Sequence, residues 1–150
     1  LLVDDEPFIV QGLSALIDWE KEGFEIVGTA GNGSEAVEFL KSNPVDLILA
    51  DIKMPVMNGL EFLKYIRETH LSEAFFVILS GYGDFTYAKE AIKWQCTDYI
   101  LKPIQKSQLL ALLSKVKQMQ QDKKEESERI RKIGKASFAR QTGGNGTLLC

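Results

Sequence analysis

The strongest constraint on this chain is a regular alternation of short apolar runs with amphipathic stretches, which starts at its first residue. LLV leads into FIVQGLSALI, EIVGTA into SEAVEFLKS, VDLILA into GLEFLKYIRE, FFVILS into DFTYAKEAIKW, and YIL into SQLLALLSKVKQM. Short apolar runs read as strands and 3.6-periodic stretches as helices, so the order is strand then helix throughout. Several of the runs are apolar at every position, as parallel strands are when helices cover both faces of their sheet. The expected architecture is α/β, a doubly wound five-stranded parallel sheet with five helices, the last extended. Pro7 falls in a first turn, Ser34 and Ser107 are candidate caps for the second and fifth helices, and Pro44 follows the end of the second.

A chain of 150 residues suits one such domain. No apolar run approaches the roughly 20 residues that cross a bilayer, and no signal-type segment opens the chain, so a cytoplasmic protein without membrane contact is expected. The absence of an initiating Met predicts a trimmed start. Cys96, Cys150 and His70 have no partners at disulfide-framework or zinc-ligand spacing. Charge is unevenly spread: from Lys115 onward nine Lys and Arg stand against four Asp and Glu, whereas the preceding body holds nine against seventeen. Residues 1–120 therefore read as the domain and 121–150 as a helical extension and irregular tail. Leu109, Leu112, Val116, Met119, Ile130 and Ile133 share one heptad register, interrupted by Lys123 and Glu126. A helix that pairs with a second copy and a solvated extension are equally compatible with that pattern. QTGGNGTLLC has the composition of an irregular end.

Open α/β sheets bind ligands at the carboxyl ends of their strands. Asp4, Asp5 and Glu6 follow the first run, Asp51 follows the third, Ser80 ends the fourth and Lys102 ends the fifth. Taken singly, each has a plain explanation: a helix cap, a turn residue, a surface lysine. Their joint placement is what carries weight. In a flavodoxin-like strand order, 2-1-3-4-5, the first and third strands are neighbours, which would gather Asp4, Asp5 and Asp51. Converging carboxylates stay ionised only beside a compensating cation. Oxygen donors without His or Cys suit a hard ion such as Mg²⁺. A carboxylate can then act as nucleophile in phosphoryl transfer while the ion and an ammonium neutralise charge, roles that fit Asp51 and Lys102.

The segments LLVDDE, VDLILADIKMPVMNGLEFL, VILSGYGDF and DYILKP resemble the receiver domain of two-component response regulators, over roughly residues 1 to 120. The resemblance implies that Asp51 is the phosphoacceptor for a sensor histidine kinase. It makes Asp5 a direct ligand of Mg²⁺ (or Mn²⁺), with Asp4 near the ion or bound through water and the Lys53 backbone carbonyl as a further ligand. Ser80 and Lys102 would hold phosphoryl oxygens, Tyr99 would be the aromatic switch, Pro103 would follow a cis peptide, and Pro55 and Gly59 would shape the loop after Asp51. Such a domain catalyses only its own phosphoryl transfer and dephosphorylation. It would dimerise through the face of the fourth helix, fifth strand and fifth helix, or through the extended fifth helix. A weaker similarity, in SGYGDFTYAKEAIKWQCTDYILKP and LIDWEKEGFEIVGTA, is to receivers joined to AraC-type helix-turn-helix regions. DNA would then be bound only by a further C-terminal domain that controls transcription.

Three rival readings meet residues that oppose them. A nucleotide- or flavin-binding domain needs a glycine- or hydroxyl-rich phosphate loop after its first strand, where this chain has DDEP. An Asp-dependent phosphatase wants an acid two residues beyond its nucleophile, where this chain has Lys53. A pseudo-receiver working unphosphorylated is opposed by the intact set Asp5, Asp51, Ser80 and Lys102. Met54 and Tyr82 lie where water would approach an aspartyl-phosphate.

Overall fold

The computed structural model describes residues 1–81 and 85–143, with residues 85 and 135–143 described by backbone alone. The elements are β1 Leu2–Val3, α1 Pro7–Leu16, β2 Thr29–Ala30, α2 Gly33–Ser42, β3 Leu47–Asp51, α3 Gly59–Glu68, β4 Phe75–Ser80, α4 Phe85–Lys93, β5 Asp98–Leu101 and α5 Lys106–Gly143. All strand pairs are parallel and the sheet order is β2-β1-β3-β4-β5, the doubly wound arrangement expected from the alternation. The chain divides into two compact units, Leu1–Ala111 and Leu112–Cys150, and the sheet belongs to the first.

The apolar runs become strands because both of their faces are needed. Ile48, Ala50, Phe76 and Ile78 form one cluster with Ala36, Leu40, Phe62, Leu63 and Ile66 of α2 and α3. The alternate residues Leu47, Leu49, Val77 and Leu79 point to the opposite face and are buried as well. Within the first cluster the rings of Phe62 and Phe76 sit 5.4 Å apart and tilted, a favourable aromatic geometry.

Several boundaries differ from expectation for local reasons. EIVGTA contributes only Thr29 and Ala30 to β2, because β1 offers only Leu2 and Val3 as ladder partners. Helix α2 is capped by Asn32, whose side chain accepts the Glu35 N–H, so Ser34 lies inside the first turn. Helix α5 starts at Lys106, which moves Ser107 off the cap position; the Gln108 side chain instead accepts the Gln105 N–H. The helix then runs unbroken past residue 120 to Gly143, so Gln141, Thr142 and Gly143 are helical and the remainder of the expected irregular tail lies outside the described residues.

Helix α3 begins at a complete capping box, Asn58 accepting from Glu61 N–H and Glu61 accepting from Asn58 N–H. Asn58→Ala removes that acceptor and is expected to lower stability by about 1 kcal/mol, read as a shift of the urea midpoint at constant slope.

Candidate functional site

The register of the strands delivers four chemically active residues to one edge of the sheet. Val3 pairs with Ala50, so Asp4 and Asp51 come next on adjacent strands. Asp51 pairs with Leu79, placing Ser80 one residue later, and Ser80 pairs with Leu101, so that Lys102 follows. Among the described residues the buried polar or charged side chains are Asp4, Asp51 and Ser80, at 6%, 8% and 1% exposure. Polar groups taken out of water need partners, and here they are supplied locally. Lys102 Nζ donates to Asp4 Oδ2 at 2.6 Å and lies 3.3 Å from Asp51 Oδ2. The Ile52 N–H donates to Asp51 Oδ1 at 2.8 Å, and the Glu6 N–H to Asp4 Oδ1 at 2.9 Å. The Lys102 N–H donates to the Ser80 carbonyl at 2.7 Å, and the following Lys102–Pro103 peptide is cis.

Burial pushes the Asp51 carboxyl above its ordinary range and the neighbouring Asp4 adds to this, while the Lys102 ammonium and the Ile52 N–H oppose it. Burial would by itself lower the Lys102 ammonium, but its bonds to Asp4 and Asp51 outweigh that and hold it raised. One ammonium thus serves two carboxylates, and negative charge remains in excess. Asp5 and Glu6, exposed to solvent, add to the excess, and with Asp4 each offers a carboxylate oxygen within 4.8 Å of the others. Such an all-oxygen donor set, open on one side, fits a hard divalent ion that keeps some of its waters.

Beside this trio lies a cavity of about 350 Å³ lined by Asp5, Ile52, Lys53, Met54, Pro55, Asn58 and Tyr87. The expected gathering of Asp4, Asp5 and Asp51 therefore takes a more specific form. Asp4 and Asp51 share Lys102, while Asp5 faces the cavity with Lys53 and groups with Glu6. Sequence reasoning placed Glu6 after the first strand but gave it no part; its adjacency to Asp5 was the available signal. Tyr87 had none, since only the packing of α4 brings it to the cavity wall. Tyr99 is half-buried and pairs with Ile78, which by alternation puts it on the same face as Ser80 on the neighbouring strand. Tyr82 lies outside the described residues.

The loop from Ile52 to Asn58 is held tightly against β3. The Gly59 N–H donates to the Ile52 carbonyl at 2.8 Å, and a Cβ at Gly59 would come within 2.0 Å of the Asp51 carbonyl oxygen. Val56, in the middle of this loop, is 84% exposed and held at φ 66°, a conformation that branched side chains resist.

Asp4, Lys102 and Asp51 thus form one ion-paired cluster at the carboxyl edge of a parallel β2-β1-β3-β4-β5 sheet. The sequence model of the response regulator receiver domain matches residues 1–114, and the chain belongs to that family. It is 40% identical over 116 residues to the uncharacterized transcriptional regulatory protein YesN of Bacillus subtilis, covering 77% of this chain and 31% of that protein. It is 35% identical over 116 residues to the transcriptional regulatory protein HptR of Staphylococcus aureus, covering 77% and 45%. The chain thus spans less than half the length of these curated relatives. Among solved structures it resembles the receiver domain of AraT, a response regulator from Geobacillus stearothermophilus, with a TM-score of 0.74, 36% identity and coverage of 82% of this chain and 95% of that one. It also resembles a chain of the CheX–CheY–BeF3–Mg complex from Borrelia burgdorferi, with a TM-score of 0.69, 31% identity and coverage of 77% and 85%. Among the described residues no helix is long and apolar enough to cross a membrane.

Proposed function

We propose that Asp51 accepts a phosphoryl group from a sensor histidine kinase and that Asp5, Asp51 and the Lys53 carbonyl hold the required Mg²⁺, with Asp4 near it or bound through water. The observation that carries this reading is the Lys102 ammonium shared between buried Asp4 and Asp51. An oxygen of the Asp51 carboxylate forms the new bond to phosphorus as the bond to the donor breaks. Bound Mg²⁺ would supply positive charge for the phosphoryl oxygens. Lys102 supplies a second positive charge, from an ammonium already pointed at Asp51 and stripped of much of its water. In this reading the Ser80 hydroxyl donates to a phosphoryl oxygen and Tyr99, whose backbone pairs with Ile78 on the neighbouring strand, follows that movement inward. The two arrangements are states whose populations phosphorylation shifts.

Residues 1–120 act as the receiver and the helix beyond them leads toward an output region. The names of YesN and HptR as transcriptional regulators support control of transcription, through a DNA-binding region outside these residues. Exposed Ile92 of α4 and Leu101 of β5 support pairing through that face. A pseudo-receiver acting without phosphorylation is the less favoured reading, because the set Asp5, Asp51, Ser80 and Lys102 is intact in the sequence.

The test is the intact mass of the folded chain after incubation with acetyl phosphate. A single phosphoryl adduct is expected with Mg²⁺ and none after chelation. A folded protein that takes no adduct from acetyl phosphate in Mg²⁺ overturns the proposal.

A further inference from the structure

At the amino ends of β4 and β5, the edge of the sheet opposite the Asp51 cleft, the last turns of α3 and α4 border a cavity of about 370 Å³. Arg67, His70, Glu73, Lys93, Trp94 and Gln95 line it, and its volume is that of a small-ligand site. Arg67 forms its half-buried floor. The guanidinium ties down the segment between α3 and β4, Nη1 donating to the Ser72 carbonyl at 2.9 Å and Nη2 to the Ala74 carbonyl at 2.8 Å. Carbonyls satisfy donors but bring no negative charge. Arg67 Nε is buried and has no hydrogen-bond partner among the described residues, a state that folded proteins rarely leave a polar atom in. Burial pulls the Arg67 guanidinium below its ordinary value, with Glu73 and Cys96 opposing, as expected of a cation short of compensating charge.

Two further cations gather at the same place. Lys64 Nζ of α3 and Lys93 Nζ of α4 each lie 5.7 Å from the centre of the Trp94 ring, where the indole face attracts an ammonium. Among the described residues neither lysine, nor Arg67, lies within ion-pair distance of a carboxylate. The nearby acids are engaged elsewhere: Glu73 faces His70 at 3.8 Å, and Glu90 accepts from Trp94 Nε1 at 3.3 Å. In a chain of net charge -3, three cations without carboxylate partners around one cavity are a local excess of positive charge.

We propose that this cavity binds a small phosphate monoester, with its head among Lys64, Arg67 and Lys93 and its organic body along Trp94. A phosphoryl head carries about -1.5 to -2 charges at neutral pH and three acceptor oxygens, a closer match to three cations and a spare buried donor than a carboxylate offers. Glu73 at the rim opposes the anion, and its pairing with His70 offsets part of that repulsion. A ligand held in this way bridges the ends of α3 and α4.

The test is isothermal titration calorimetry of the whole chain in Mg²⁺-free buffer, where the Asp51 cleft keeps its excess of negative charge. Phenyl phosphate is the probe, inorganic phosphate represents the head alone and phenol the body alone. One phenyl phosphate per chain is expected, bound more tightly than either part. Lys64→Gln with Lys93→Gln removes two exposed charges and should raise the dissociation constant by about tenfold or more. An equal loss of charge outside the cavity, Lys21→Gln with Lys106→Gln, should leave it within about twofold, because distant exposed charges are screened. A wild-type chain that takes up no phenyl phosphate at millimolar concentration overturns the proposal. So does equal binding of phenol or of inorganic phosphate. A Lys64 and Lys93 double variant that melts like wild type and binds like wild type also overturns it, as does an equal loss in the Lys21 and Lys106 variant, which is the result for diffuse attraction to the surface.

Discussion

Asp51→Asn is expected to reduce the phosphoryl adduct to background while leaving the fold intact. The amide occupies nearly the same volume, so the packing around β3 is kept, but its oxygen is too weak a nucleophile to take the phosphoryl group. Intact mass after acetyl phosphate with Mg²⁺ measures this directly. An adduct of undiminished amount in Asp51→Asn would place the chemistry on another residue. The substitution should also change stability in metal-free buffer, in a direction fixed by the raised carboxyl of Asp51. A carboxyl whose pKa is higher in the folded than in the unfolded chain stabilises the fold below its unfolded value. That contribution is lost as pH rises through the folded value. Asparagine has no such loss. The melting temperature of Asp51→Asn should therefore exceed that of wild type at neutral pH, and the gap should close as pH falls toward the carboxylate range.

Gly59→Ala is expected to cost about 3 kcal/mol or more, a large loss for one added methyl group. A Cβ at this position meets backbone: the Asp51 carbonyl oxygen at 2.0 Å, its carbon at 2.9 Å and Ile52 Cα at 3.1 Å. Backbone at the end of a central strand cannot move aside without opening the ladder between β3 and β4, and the shift would carry Asp51 away from Lys102. Urea denaturation should show the lower midpoint, and the remaining folded protein should take up phosphoryl groups more slowly. Gly12→Ala is the control. Nothing lies within 4 Å of a Cβ at Gly12 in α1, so the same chemical change there should stabilise by about 0.5–1 kcal/mol through helix propensity alone. Equal effects at the two positions would mean that the close approach of α3 to β3 is not a constraint.

The sequence by itself determined the order of the elements, because parallel strands buried on both faces must be continuously apolar and the helices between them must be amphipathic. FFVILS and GLEFLKYIRE could be bounded from the residues alone, since turn formers and capping residues flank them. It also determined which residues could meet, since Asp4, Asp51, Ser80 and Lys102 each end a strand and parallel strands bring their carboxyl ends to one edge. Where pairing depends on a neighbour, local pattern was insufficient. EIVGTA reads as a full strand, yet only Thr29 and Ala30 have partners on β1. The heptad beyond Val116 was visible, but whether it continued as helix was not, because charged residues at Lys123 and Glu126 suit a frayed end equally well. Only the tertiary structure decided how charge is shared at the site. Adjacent residues of sequence, Asp4 and Asp5, end in opposite circumstances: one buried against Lys102, the other open to solvent beside Glu6 and the Lys53 loop. Two neighbours leaving a strand point to different sides of it, and which side holds the ammonium depends on where β5 ends, nearly a hundred residues later.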